Sequence, residues 1–176
     1  VLFRSEKNSQ VGETLVTIFT PNPEQLVLSR ENPKFYEILK TAGILLPDGA
    51  GLVWAMQRSS SQKQSVEGLQ RIAGREVFHD LLELAIKKEY KVSLLGGMPG
   101  AAKKISVRCK IANANCQVFV DDGPRENEAE ILEKIKQARP VLLFVAYGAP
   151  YQEEWILNHR EALIDSGVKI AMVVGG

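Results

Sequence analysis

Histidine and cysteine are scarce in this chain, two of each in 176 residues. His79 and His159 stand far apart without ligand spacing, and Cys109 and Cys116 are too few for a disulfide framework. Zinc sites and Ser-His-Asp chemistry therefore have no visible basis, and free thiols in a reducing cytoplasm are expected. Long apolar runs are missing too: nothing approaches the roughly 20 residues that cross a bilayer, and Val1 to Gly12 contains no secretory core. Charge of one sign is not in excess. The 22 Lys and Arg against 21 Asp and Glu leave a net +1, so no global field argues for nucleic acid. Local basic pairs, Lys87-Lys88 and Lys103-Lys104, read as solvated helix faces.

Several nucleotide signatures are lacking as well. There is no Gly-x-Gly-x-x-Gly fingerprint, no Gly-Lys-Ser/Thr phosphate loop and no Asp-x-Asp pair; Asp121-Asp122 is adjacent and does not read as a metal site. What remains, at 45% hydrophobic and 24% charged, is the composition of a soluble globular domain.

The chain does contain a recurring arrangement, in which an apolar run ends in a Gly/Pro turn and an amphipathic segment follows. It occurs at Thr20-Pro21-Asn22-Pro23-Glu24, Pro47-Asp48-Gly49-Ala50-Gly51, Gly96-Gly97-Met98-Pro99-Gly100 and Gly148-Ala149-Pro150-Tyr151-Gln152-Glu153. The apolar runs, near residues 15–19, 44–46, 92–95, 117–120, 141–146 and 168–174, are short and continuous, as strands buried on both faces are. Helical patterns separate them: about 21–29, from Asn32-Pro33 onward, 49–57, from Gly74, 100–111, 126–138 and 151–166. The expected fold is one α/β domain, a mainly parallel Rossmann-like sheet with helices on both faces. Residues 1–13 read as a poorly ordered segment and 14–176 as the core. Residues 59–67 are polar and aperiodic, a long loop. The chain starts at Val1 rather than Met and stops at Gly175-Gly176 directly after an apolar run, so it reads as a piece of a longer protein.

In a parallel sheet all four turns emerge at the carboxyl edge, where open α/β sheets take ligands. Asp48, beside glycine after a buried run, is either a helix cap or a general base for an attacking hydroxyl. Gly97 either makes a tight turn or lets backbone N–H groups approach an anion. Thr20 and Asn22 either cap a helix or bind a sugar. Arg71, beside the polar loop, suits a diphosphate. Glu153 complements a helix dipole, whereas Gln152, next to it, has no evident structural duty. Trp54 and Trp155 read as core or rim.

Five of these pieces, in order, resemble the WecG/TagA/CpsF glycosyltransferases (glycosyltransferase family 26): Thr20 to Glu24, Leu46 to Gly51, Arg71 to Gly74 with Asp80-Leu81-Leu82, Leu94 to Gly97, and Phe144 to Glu153. Val173 to Gly176 matches too. The likeness runs from about Thr17 to the last residue. It implies inverting transfer of an N-acetylmannosamine-type sugar, or a related hexose, from a UDP-sugar to a polyprenyl-diphosphate-linked acceptor in cell-wall or surface-polysaccharide synthesis, without a metal or other cofactor. By motif, Asp48 is the base, Thr20 and Asn22 line its pocket, Arg71 and Gln152 contact the donor or its diphosphate, and Gly97 and Gly148 lie near the nucleotide. The family continues past the Gly-Gly into a basic appendage that helps bind membrane, which implies a cytoplasmic protein peripheral to the inner face of the plasma membrane. This chain departs from the pattern at 57–70, which is longer and more polar, and at Gly74-Arg75-Glu76, which replaces Gly-x-Asp. Competing readings are a nucleotide-dependent oxidoreductase and a non-catalytic sugar-nucleotide-binding module. Self-association into a homo-oligomer is left open.

Overall fold

A computed structural model describes residues 14–46, 73–113, 115–121 and 126–175. The segment 1–13, the helix expected at 49–57 and the loop at 59–67 lie outside the described residues, as do Asp48, Trp54 and Arg71.

The first described strand, β1 (Val16–Phe19), leads into two short helices, α1 (Pro23–Glu31) and α2 (Pro33–Lys40), that start by the same device. An Asn-Pro pair opens each: Asn22 Oδ1 accepts the Gln25 N–H at 2.8 Å, and Asn32 Oδ1 accepts the Phe35 N–H at 3.1 Å. Proline at the first helical position lacks an N–H that would have had no partner there, and the asparagine satisfies one of those left. The chain continues through β2 (Ile44–Leu45), α3 (Gly74–Lys88), β3 (Val92–Gly96), α4 (Ala101–Ala112), β4 (Val118–Asp121), α5 (Glu128–Ala138), β5 (Leu142–Ala146), α6 (Tyr151–Asn158), α7 (Arg160–Asp165) and β6 (Ile170–Val173).

All six described strands are parallel, in the order β2-β1-β6-β5-β3-β4. The sheet expected to be mainly parallel is wholly so among the described residues. Because side chains alternate faces along a strand, each central strand feeds two cores. Leu95, Leu143, Val145 and Val173 pack with α2, α5, α6 and α7 through Phe35, Ile131, Ile135, Trp155, Ile156 and Leu163. Leu94, Leu142, Phe144 and Met172 pack with α3 and α4 through Phe78, Leu82, Ala85, Ala102 and Cys109. Both thiols are free and buried. Burial pushes Cys109 up to about 11, with Cys116 beside it adding to the shift.

One expected helix is two. The segment 151–166 breaks at His159, whose backbone (φ −106°, ψ 14°) leaves the helical region. At the break the Trp155 carbonyl accepts the His159 backbone N–H at 3.2 Å and lies 2.8 Å from His159 Nδ1. Glu128 braces the break from α5, its Oε1 accepting from Tyr151 Oη at 2.8 Å and its Oε2 lying 3.4 Å from His159 Nε2. No described helix is long and apolar enough to cross a membrane.

Candidate functional site

Strand order locates the site before any side chain is considered. From β3 the chain moves outward to the edge strand β4, and from β5 it moves the other way to β6. Adjacent strands whose onward connections part in this manner leave a crevice between their carboxyl ends. The Gly97 N–H donates to the Ala146 carbonyl at 2.9 Å across that crevice, tying the two strand ends together.

Glycine makes the turns possible. Gly96, Gly97 and Gly100 have φ of +71°, +91° and +78°, and Gly148 and Gly175 have +85° and +94°. These left-handed values are costly for any residue with a Cβ. At Gly96 space is also lacking, since a Cβ there would stand 2.6 Å from Tyr147 Cδ1 and 2.9 Å from the Ala146 carbonyl oxygen. Gly148 and Gly175, by contrast, face open space.

Above the α3/α4 side of this crevice lies a cavity of about 360 Å³. Phe78, Leu94, Phe144 and Ile105 form its apolar floor and walls, and Gly97, Gly148 and Gly175 form its rim, with Met98 and Ala101 at the start of α4. Phe78 and Phe144 meet edge to face at 4.7 Å. The volume suits a small organic ligand. Gly100 precedes α4 and Pro150 precedes α6, and neither helix has a side-chain cap. The positive ends of both dipoles stand at this edge, while the Ala101 and Gln152 N–H groups already donate to the Met98 and Gly148 carbonyls, at 2.9 and 3.1 Å.

Of the residues singled out from sequence, Gly97 and Gly148 meet at this one cavity. Gln152 lies next to them, fully buried. Its Oε1 accepts the Gly148 N–H at 3.1 Å, and its own N–H donates to the Gly148 carbonyl at 3.1 Å. The expectation that Gln152 has no structural duty is corrected: it closes the Gly148 turn, because that N–H has no strand or helix partner and a side-chain amide in the first turn of α6 can reach it. Its Nε2 donates to Glu153 Oε1 at 3.2 Å, and Glu153 is buried as well. Desolvation holds the Glu153 carboxyl above the usual carboxylate range.

Thr20 ends β1 at the same edge but does not line the cavity. It is buried against Gly74 at the start of α3, the helix that carries Phe78 to the cavity. Asn22 serves as the α1 cap, and its Oδ1 is occupied by that role. The strand β2 runs parallel to β1, so it too opens toward this edge; Asp48 and Arg71, farther along, lie outside the described residues. Trp155 is a core residue. Sequence reasoning missed the apolar members Phe78, Phe144 and Ile105, which look like ordinary core positions. It also did not nominate Gly175, whose position after an apolar run repeats the pattern of Gly96.

The fold and the glycine-rimmed cavity define an open, doubly covered parallel α/β sheet with a ligand crevice at its carboxyl edge. Comparison with known proteins narrows the class. The model of the glycosyl transferase WecG/TagA/CpsF family matches residues 4–176. A Bacillus subtilis (strain 168) protein named N-acetylglucosaminyldiphosphoundecaprenol N-acetyl-beta-D-mannosaminyltransferase is 30% identical over 166 residues, covering 94% of this chain and 61% of its own. Proteins of the same name from Staphylococcus aureus (strain MRSA252) and Bacillus spizizenii are 32% and 30% identical, with 60% and 59% of their lengths covered. This chain belongs to the glycosyl transferase WecG/TagA/CpsF family. It spans about three fifths of the length of these curated relatives.

Proposed function

We propose that this chain is the catalytic core of a glycosyltransferase that moves an N-acetylmannosamine-type sugar, or a related hexose, from a UDP-sugar to a polyprenyl-diphosphate-linked acceptor. The observation that carries the reading is the family match over nearly the whole chain, together with a cavity at the parting of β3 and β5. The names of the relatives supply the acceptor class and the transferred sugar.

The proposed chemistry is a single displacement with inversion. Asp48 removes the proton from the acceptor hydroxyl, and that oxygen attacks the anomeric carbon as the bond to UDP breaks. Charge on the departing diphosphate is met by Arg71 and by the positive helix ends that follow the Gly97 and Gly148 turns. By family motif, Thr20 and Asn22 line the same pocket as Asp48. Gln152 acts on the donor through the Gly148 turn that it holds. The enzyme works at the inner face of the plasma membrane, where a lipid-linked acceptor is presented.

Titration of the chain with UDP and with NADH, followed by tryptophan fluorescence, tests this reading. Saturable UDP binding without NADH binding is expected. Tight NADH binding without UDP binding favours an oxidoreductase instead. UDP-sugar binding with no transfer to a short-chain lipid-diphosphate acceptor, assayed on the complete gene product, would reduce the chain to a binding module.

A further inference from the structure

Two buried polar side chains in succession at the first turn of α6 need a physical account. Removing a carboxyl group from water is costly unless it is hydrogen-bonded, and an apolar residue would fill the same space without that cost. Glu153 is 1% exposed and Gln152 fully buried. Neither residue caps α6, whose first turn has no side-chain cap.

The donor and acceptor inventory fixes the arrangement. The Gly148 N–H can only donate, so the Gln152 amide must turn its oxygen toward it, and it does so at 3.1 Å. That choice directs the Gln152 NH2 group the opposite way, toward Glu153, where only an acceptor can satisfy it. Glu153 Oε1 is that acceptor at 3.2 Å. Its second oxygen, Oε2, has no hydrogen-bond partner among the described residues, so the bond to Gln152 is the only side-chain hydrogen bond given to this carboxyl. Without it, the buried Gln152 NH2 group loses its acceptor, and the amide orientation that serves the Gly148 N–H, in a turn that lines the cavity, is no longer held from both ends.

We infer that Glu153 is a positioning residue for the ligand cavity: its carboxyl sets the orientation of the Gln152 amide, and that amide fixes the Gly148 turn at the cavity rim. The inference goes beyond the proposed function, and only its ligand-binding consequence rests on that reading. It requires an acceptor at a set distance from the helix backbone and does not require a charge there.

The test compares two variants that separate length from charge. Glu153→Gln keeps the length and an acceptor oxygen; Glu153→Asp keeps the charge but is one methylene too short to reach the Gln152 amide. In a ¹H–¹⁵N correlation spectrum the Gly148 cross-peak and the Gln152 side-chain NH2 pair are expected to stay in place in Glu153→Gln and to move or broaden in Glu153→Asp. UDP affinity is expected to be within about twofold of wild type in the first variant and weakened roughly tenfold in the second, at equal folded fraction by circular dichroism. The inference is overturned if the Gly148 cross-peak is indifferent to both substitutions, or if Glu153→Gln disturbs it as much as Glu153→Asp. The cross-peaks decide the positioning role without any ligand. A wild type that binds no UDP would therefore defeat the proposed function and leave this result standing or falling on its own. Should Glu153→Asp fail to fold, Glu153→Met, which keeps the length but has no acceptor oxygen, must move the Gly148 cross-peak in its place.

Discussion

Gly74 touches Thr20 so closely that no side chain fits between them: a Cβ on Gly74 would stand 2.9 Å from Thr20 Cγ2 and 3.1 Å from Thr20 Cβ. Thr20 is β-branched and buried at the end of β1, so it has little freedom to withdraw. Gly74→Ala is expected to cost about 1–3 kcal/mol, in the range of overpacked sites, and to shift the start of α3. Thr20→Ser removes the methyl group in question. The double variant Gly74→Ala/Thr20→Ser should recover part of the loss, read from urea midpoints of all four proteins. Simple additivity would show that the contact does not limit the packing.

Gly96 and Gly148 share a left-handed backbone but differ in what surrounds them. Gly148→Ala faces open space and should cost only the backbone penalty, about 1–2 kcal/mol. Gly96→Ala adds a collision with Tyr147 and the Ala146 carbonyl to the same penalty. The expected order of thermal stability is wild type, then Gly148→Ala, then Gly96→Ala. Gly148→Ala should also weaken UDP binding more than its melting temperature suggests.

If Asp48 is the general base, Asp48→Ala and Asp48→Asn should both lower the transfer rate by about 10²–10⁴-fold, with UDP affinity close to wild type. Near-normal transfer at unchanged donor affinity removes Asp48 from that role. The assay belongs on the complete gene product.

Cys109 provides a pH dependence whose sign can be worked out. The thiol is raised to about 11 in the folded chain, first by desolvation and then by the neighbouring Cys116, with Arg108 opposing. The unfolded chain releases this proton first, so above that point the folded state binds more protons and stability falls as pH rises. The contribution is complete below about pH 8.5, the ordinary thiol range, and is lost progressively toward 11. Tyr147, also raised by burial, acts in the same direction at still higher pH. The slope of urea midpoint against pH should be shallower in Cys109→Ala than in wild type. Parallel slopes would rule out the thiol as a contributor.

Glu153 shifts the same way, because burial raises an acid whose ionised form is disfavoured. Its charged neighbour on the helix is Glu154, which pairs with Lys34 of α2 at 3.3 Å. Glu153→Gln carries no ionisation cost, so its melting temperature should rise relative to wild type as pH increases from 4 to 8. A difference independent of pH would mean that the carboxyl is not strained by burial.

Much of this architecture can be read from residue patterns because parallel strands buried on both faces leave uninterrupted apolar runs such as Leu142 to Val145, and every such run found in the described residues is a strand. The Gly96-Gly97 and Gly148 turns were legible for the same reason, since glycine directly after such a run signals a backbone that no other residue adopts cheaply. Strand order was not legible. Nothing local to Ile170 to Val173 shows that it inserts between β1 and β5, because that depends on pairing between distant segments. The break at His159 was hidden because the residues from Tyr151 to Asp165 keep a helical pattern on both sides of it. Gln152 was misread because a polar residue in a first helical turn is usually solvated, and its burial follows from how α6 meets the Gly148 turn. Asp48 and Arg71 remain sequence-based expectations.

The position of β6 has a consequence for how the chain becomes a protein. Its two neighbours, β1 and β5, do not pair with each other, so before β6 arrives the molecule consists of two half-sheets with open inner edges. The first described strand must wait for Ile170–Val173 before its second ladder can form. Such distant pairing slows folding and lengthens exposure of bare strand edges. During synthesis, the β2-β1 pair thus keeps one bare edge until β6 has emerged.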